Sequence, residues 1–227
     1  MTFSLVGRCA RTGQLGAVIT SSSPAVAARC AYARSRVGAA CTQNVTDPTL
    51  GPALLDRLGG AEEALAEVVR TARHVEYRQL AVVDGRGGAA VFSGELALGR
   101  AATARGEGCA AAGNLLADGR VPAVMVEAFQ AGPEAPLGDR LVAALLAGLE
   151  AGGEEGPVRS AGLVVVDEVP WPVADLRVDW TEGDPVAELA ALWRLWAPQS
   201  DAYVTRALDP VAAPAFGVPG DQAGLRV

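Results

Sequence analysis

The sequence predicts an α+β fold, a four-layer αββα sandwich in which two mostly antiparallel sheets pack between outer helices. Three observations lead there. The elements run strands, paired helices, strands, paired helices, strands, helix. Consecutive strands are joined by hairpin-length turns, which build antiparallel sheets. The helices come mostly in consecutive pairs, so they group into layers on the sheets, and a doubly wound parallel sheet fits poorly.

Each element has a local reason. Residues 1–9 (Met-Thr-Phe-Ser-Leu-Val-Gly-Arg-Cys) read as a core strand, and Arg11-Thr12-Gly13 turns the chain into a second strand, Leu15–Ser21. Ser21-Ser22-Ser23-Pro24 is a polar loop, and residues 25–36 form an Ala- and Arg-rich connection. Residues 37–42 are small and apolar, as in a strand buried on both faces, and end in the polar Thr42-Gln43-Asn44. Asp47-Pro48 predicts a helix start, with Asp as N-cap and Pro at the first helical position. That helix carries Leu54, Leu55 and Leu58 and stops at Gly59-Gly60; the next places Ala64, Leu65, Val68 and Val69 on one face.

Residues 77–84 and 89–92 predict a hairpin turned by Asp84-Gly85-Arg86-Gly87-Gly88, and residues 96–105 and 108–112 a weaker pair closed by Gly113-Asn114. Helices follow over 121–131 and 137–151, the second amphipathic through Leu141, Leu145 and Leu149. After the loop Gly152-Gly153-Glu154-Glu155-Gly156-Pro157 come strands over 160–167 and 175–180, then a helix capped by Asp184-Pro185 that buries Leu189, Leu192, Trp193 and Trp196. The expected organisation is one domain over residues 1–200 and an irregular tail over 201–227, where Pro and Gly recur without a period.

Composition excludes several kinds of chemistry. The net charge of −7 disfavours nucleic acid and anionic membrane as partners. Lysine is absent, which removes Schiff-base, phosphate-loop and Ser–Lys mechanisms. No apolar run is long enough to span a bilayer and no signal-peptide pattern is present, so a cytoplasmic protein is expected. Cys9, Cys30, Cys41 and Cys109 are scattered and there is one histidine, so no zinc site, other metal site or cofactor is expected. The Gly-rich stretches read as turns, and the adjacent Asp167-Glu168 point to opposite sides of a strand.

His74 reads as helix-terminal, leaving a Cys9 or Cys41 nucleophile paired with it as a minor alternative. What remains is a set of small polar groups at strand ends: Thr2, Ser21, Ser22, Thr42, Gln43, Asn114 and Ser160. These suit a site built from hydroxyls, amides and backbone donors. Thr2 stands out, because removal of Met1 would give one residue both a hydroxyl nucleophile and an α-amine able to serve as its base.

The ordered segments Thr2-Phe3-Ser4-Leu5-Val6, Gly13-Gln14-Leu15-Gly16-Ala17-Val18, Ser23-Pro24-Ala25-Val26, Val37-Gly38-Ala39, Thr42-Gln43, Arg78-Gln79, Gly113-Asn114, Arg159-Ser160-Ala161 and Arg177-Val178-Asp179 carry a resemblance. With them the chain resembles the bacterial and archaeal family catalogued as domain of unknown function 1028, which is grouped with the N-terminal nucleophile (Ntn) hydrolases. The resemblance runs from Thr2 to about Trp196 and leaves the tail unmatched. It implies the αββα sandwich and an amide-bond hydrolase whose terminal Thr2 is nucleophile and base. Asn114 is then the oxyanion or substrate-carbonyl contact. Ser21, Thr42, Gln43, Ser160 and Asp179 orient the amine or the substrate, and Arg78 binds a substrate carboxylate or forms a structural ion pair.

Two departures from the family's pattern bear on substrate contacts. Its Gly-Gly-Asp loop reads Gly152-Gly153-Glu154-Glu155-Gly156-Pro157, without the usual basic residues, and its acidic pair after Arg-Val reads Asp179-Trp180. The expected substrate is a small amide or peptide-like molecule. The competing expectation is a binding or scaffold protein that has kept the sandwich and lost the chemistry. The Ala- and Leu-rich helices make a homo-oligomer an expectation as well.

Overall fold

A computed structural model describes residues 1–212. Among the described residues ten strands form two antiparallel sheets, one of six strands and one of four. The larger contains β1 (Thr2–Arg8), β2 (Leu15–Ser21), β7 (Ala102–Gly106), β8 (Cys109–Asn114), β9 (Ser160–Val166) and β10 (Pro172–Val178), in the order β10-β9-β2-β1-β8-β7. The smaller contains β3 (Ala31–Arg34), β4 (Gly38–Asn44), β5 (Arg78–Asp84) and β6 (Ala89–Ser93), in sequence order. The expected sandwich is present.

Helices α2 (Leu50–Asp56) and α3 (Ala61–Thr71) cover the outer face of the smaller sheet, where Leu54, Leu65 and Val68 pack on Leu80 and Val82. Helices α4 (Val121–Gln130), α5 (Leu137–Glu150) and α6 (Pro185–Trp196) cover the larger one. The short α1 (Val26–Cys30) packs on Ile19 of β2. Among the described residues no helix is long and apolar enough to cross a membrane.

Strand β1 is central and buried on both faces, and its two-residue period separates two cores. Phe3 and Leu5 join the core under α4 and α5, with Met125, Phe129 and Leu141. Val6 joins the core between the sheets, with Ala39, Cys41, Ala81 and Val83. By the same alternation Thr2 and Ser4 extend the inter-sheet face toward the strand's N-terminal end. A hydroxyl-bearing residue is thus brought into the interior by strand period alone.

Several boundaries differ from expectation for identifiable reasons. The 25–36 connection contains α1 and β3, both too short to show a period. Helix α2 begins at Leu50 because Asp47 Oδ1 accepts from the Thr49 N–H at 3.0 Å and its hydroxyl at 2.6 Å, making Asp47-Pro48 a turn ahead of the helix. The Asp184 cap is as expected: its Oδ1 accepts from Val186 N at 2.9 Å and Ala187 N at 3.0 Å. Strand β7 starts only at Ala102, and Gly113-Asn114 forms the last two residues of β8. Strand β10 starts earlier, at Pro172, which an edge strand tolerates. In the region read as irregular tail, Ser200–Leu208 is a helix, α7, and Tyr203 stacks on Trp196 with ring centroids 4.9 Å apart. Residues 213–227 of that tail lie outside the described residues.

Candidate active site

The register of β1 with its neighbours assembles the site. Thr2 lies opposite Ser21 of β2 on one side and Asn114 of β8 on the other. Directly paired residues share a face, so the three side chains converge on the inter-sheet end of the strand. The Thr2 hydroxyl is 3.1 Å from Ser21 Oγ and donates to the Met1 carbonyl at 2.5 Å, and the Ser21 hydroxyl donates to the same carbonyl. Ser21 Oγ also accepts from Ser23 N at 3.0 Å, which fixes the turn leaving β2.

Behind Thr2 lies a buried amide network linking the two sheets. Ser4 Oγ donates to Gln43 Oε1 at 2.6 Å. Gln43 Nε2 donates to the Thr2 carbonyl at 3.4 Å and to Gln79 Oε1 at 3.1 Å. Asn114 Nδ2 donates to the same Gln79 oxygen at 3.0 Å, while Gln79 Nε2 donates to the Gly113 carbonyl at 2.9 Å and to Ser93 Oγ at 3.0 Å. Asn114 Oδ1 is buried and unpartnered. Leu115, which follows it, takes a left-handed φ of 50°, uncommon for a branched residue, and redirects the chain out of β8.

A second buried group meets the site from the loop after α5. Gly152 and Gly153 have φ of 119° and 55°, and their N–H groups cap the helix on the carbonyls of Leu149 and Gly148. That cap delivers Glu154 into an isolated antiparallel bridge with Leu116, two residues beyond Asn114. Glu154 is 6% exposed, its Oε2 accepts from Ser22 N at 3.3 Å, and its Oε1 has no partner. Burial pushes its carboxyl up to about 7; the N-terminal amine and the bonds from Ser22 draw it back down. Met1 lies against the same loop, since a Cβ built on Gly156 would sit 3.3 Å from Met1 Cε.

The other expected residues divide. Gln43 is at the site. Thr42, one residue away and so on the opposite face, donates to the Asp47 carbonyl at 3.3 Å and is not brought to Thr2. Ser160 pairs with Ser21 in register, but its hydroxyl donates to the Ser23 carbonyl at 2.6 Å and accepts from Val26 N at 3.2 Å, tying α1 to β9. Asp179 has an exposed side chain, and its carbonyl accepts from Ala25 N at 2.8 Å. Arg78 donates to the Val45 carbonyl, and its Nε is buried without a partner.

The Cys–His alternative is not assembled. His74 is exposed, with Nδ1 3.8 Å from Glu76 Oε1. Burial pushes the Cys41 thiol up to about 12 and the Cys109 thiol to about 11. At Cys9 burial acts the same way, but hydrogen bonds from Thr12 and Arg11 outweigh it and lower the thiol. Cys9 follows the far end of β1 from Thr2. Among the described residues no group of three or more His, Cys, Asp or Glu could hold a metal ion.

Gln79, Ser4 and Glu154 were not among the expected site residues. Period-two alternation from Thr2 points to Ser4, and the Arg78-Gln79 segment contained the hub of the network. Nothing local marks Glu154, which arrives through a glycine-capped helix end.

The fold and the site define an antiparallel αββα sandwich with hydroxyls, buried amides and one buried carboxyl gathered at the N-terminal end of a central strand. A model of the Family of unknown function (DUF1028) matches residues 2–189, and the chain belongs to that family. The crystal structure of a Silicibacter pomeroyi protein matching the same family model is 27% identical, covers 88% of this chain and 93% of its own, and superposes with a TM-score of 0.80. Anbu from Hyphomicrobium sp. strain MC1 is 9% identical, covering 95% of this chain and 100% of its own at a TM-score of 0.40. Anbu (ancestral beta-subunit) from Yersinia bercovieri is 8% identical, with the same coverage and a TM-score of 0.37. No curated protein matches the chain.

Proposed function

We propose that this protein is an N-terminal nucleophile amidohydrolase that cleaves a small amide or peptide-like substrate through an acyl-enzyme on Thr2. The observation that carries the reading is the meeting of Thr2, Ser21 and Asn114 in register at the end of a buried central strand that begins at Thr2. Removal of Met1 exposes the Thr2 α-amine. In the reaction this amine accepts the Oγ1 proton as Oγ1 bonds to the substrate carbonyl carbon. The amine then returns the proton to the leaving nitrogen as the C–N bond breaks, and activates the water that hydrolyses the ester.

The remaining groups position these atoms. Ser21 Oγ, 3.1 Å from Thr2 Oγ1, holds the hydroxyl. Gln43 steadies the Thr2 carbonyl, and Gln79 holds both Gln43 and Asn114. With one Nδ2 hydrogen on Gln79, Asn114 offers the substrate its second Nδ2 N–H for the carbonyl and its unpartnered Oδ1 for the amide N–H. Ser160 and Asp179 act at one remove, by fixing the loop and helix that follow Ser21.

The competing reading is a binding or scaffold protein in which Met1 is kept. It draws on the Met1 carbonyl, which in the intact chain accepts from both the Thr2 and Ser21 hydroxyls. A β-lactone amide mimic separates the two. The hydrolase reading predicts an ester adduct that maps to Thr2 and is lost in a folded Thr2→Ala variant; an adduct elsewhere, or one that survives Thr2→Ala, overturns it.

A further inference from the structure

We propose that the Glu154 carboxylate anchors and orients the freed Thr2 α-amine, as a positioning residue of the site. Topology carries the inference. Strand β1 lies between β2 and β8. The main chain of Glu154 bridges Leu116, just beyond β8, while its Oε2 accepts from Ser22 N, just beyond β2. The residue therefore spans the end of the strand between them, where the chain starts.

Unmet hydrogen bonding points the same way. Three buried side-chain atoms among the described residues lack a partner: Arg78 Nε, Asn114 Oδ1 and Glu154 Oε1. Two of them are acceptors at this one strand end. A buried carboxylate oxygen without a donor is costly, and an α-ammonium brings three donors and a compensating charge. The Met1 amine already acts on Glu154, and loss of Met1 draws the terminus back along the strand by about 3.3 Å. Glu154 Oε1 then takes one N–H of the amine and leaves Asn114 Oδ1 for the substrate. In a chain without lysine, this carboxylate supplies the charge that holds the amine toward its own hydroxyl.

Other ionisable groups near this end are placed elsewhere: the Glu155 side chain is exposed, and Arg100 donates to the Leu116 and Ala117 carbonyls. Cys30 of α1, whose thiol burial pushes up, lies 3.5 Å from Thr46 Oγ1, and Asp118, beside Gly152, is paired with Arg120 at 2.8 Å.

The inference rests on the proposed function only through the release of Met1, so the two fail separately. The absence of lysine makes the α-amine the sole primary amine of the chain, and an amine-selective reagent reads it alone. Full-length protein made to begin at Thr2, by cleavage from a ubiquitin-like fusion, is labelled with trace acetic anhydride across a pH series. Glu154→Gln lowers the α-amine pKa by about one unit, a roughly tenfold larger neutral fraction near pH 7, because a neighbouring negative charge no longer favours the ammonium. Glu154→Asp, with its charge one methylene further back, falls between wild type and Gln and carries the comparison if the Gln variant does not fold. An α-amine pKa unchanged in both folded variants overturns the anchor. The shift seen without a β-lactone adduct on wild-type Thr2 supports the anchor and sinks the nucleophile; an adduct without the shift does the reverse.

Discussion

Glu154→Gln should remove the pH dependence of stability that the buried carboxyl imposes on the chain carrying Met1. The Glu154 carboxyl has an ordinary value of 4.5 and is pushed up to about 7 in the folded protein. The folded state therefore binds the extra proton between those values, and stability falls as pH rises through the window. A shift of this size is worth about 3 kcal/mol once the group is fully ionised. Between pH 5 and pH 8 wild type loses about 2–3 kcal/mol on this account, out of a typical 5–15 kcal/mol for a domain. Gln keeps the shape and the bond from Ser22 N but never ionises. Urea unfolding of both proteins at the two pH values isolates Glu154 together with the N-terminal amine that acts on it, because the other titrating groups cancel in the difference. The variant should gain on wild type by about 2–3 kcal/mol between pH 5 and pH 8. A wild-type-to-variant difference that is the same at both pH values would refute the reasoning, since Glu154 would then be hydrated and ordinary.

Three other outcomes follow from the packing. Gln79→Leu strips the amide network of its hub and leaves Asn114 Nδ2, Gln43 Nε2, Ser93 Oγ and the Gly113 carbonyl without that partner; the urea midpoint should fall by the equivalent of about 2–5 kcal/mol, and a loss under about 1 kcal/mol would count against a buried network. Gly162→Ala places a Cβ 2.3 Å from that of Ala27, so α1 must lift from β9 and thermal unfolding should show a loss of about 1–3 kcal/mol. Burial raises the Cys30, Cys41 and Cys109 thiols, so an aromatic disulfide reagent near pH 8 should leave these three unreacted in native protein and modify them promptly in denaturant; fast native labelling of any would contradict its burial.

The layers of the fold were legible because their causes are local. Strand β2 falls on Leu15–Ser21 as read, and amphipathic spacing in Leu141, Leu145 and Leu149 marks α5. The misplaced boundaries have equally local causes: an Asx turn at Asp47 displaced the start of α2, and α1 and β3 are too short for a period. The site was half legible. Thr2 and Asn114 are strand-end polar residues visible in the chain, but that they face one another depends on the β1–β8 register, which joins residues more than a hundred positions apart. Thr42 and Gln43 look alike in sequence, yet one sits on the helix side and the other between the sheets, because neighbouring strand residues point to opposite faces. Glu154 was hidden in a turn-like loop whose destination only the helix cap and the bridge to Leu116 determine.

All of the proposed chemistry depends on a free amine at Thr2. The intact mass of the native protein, purified without an N-terminal tag, tests that most directly. The account predicts the mass of a chain that begins at Thr2. A mass that includes Met1 would contradict it, because the nitrogen required as base would still be a peptide amide.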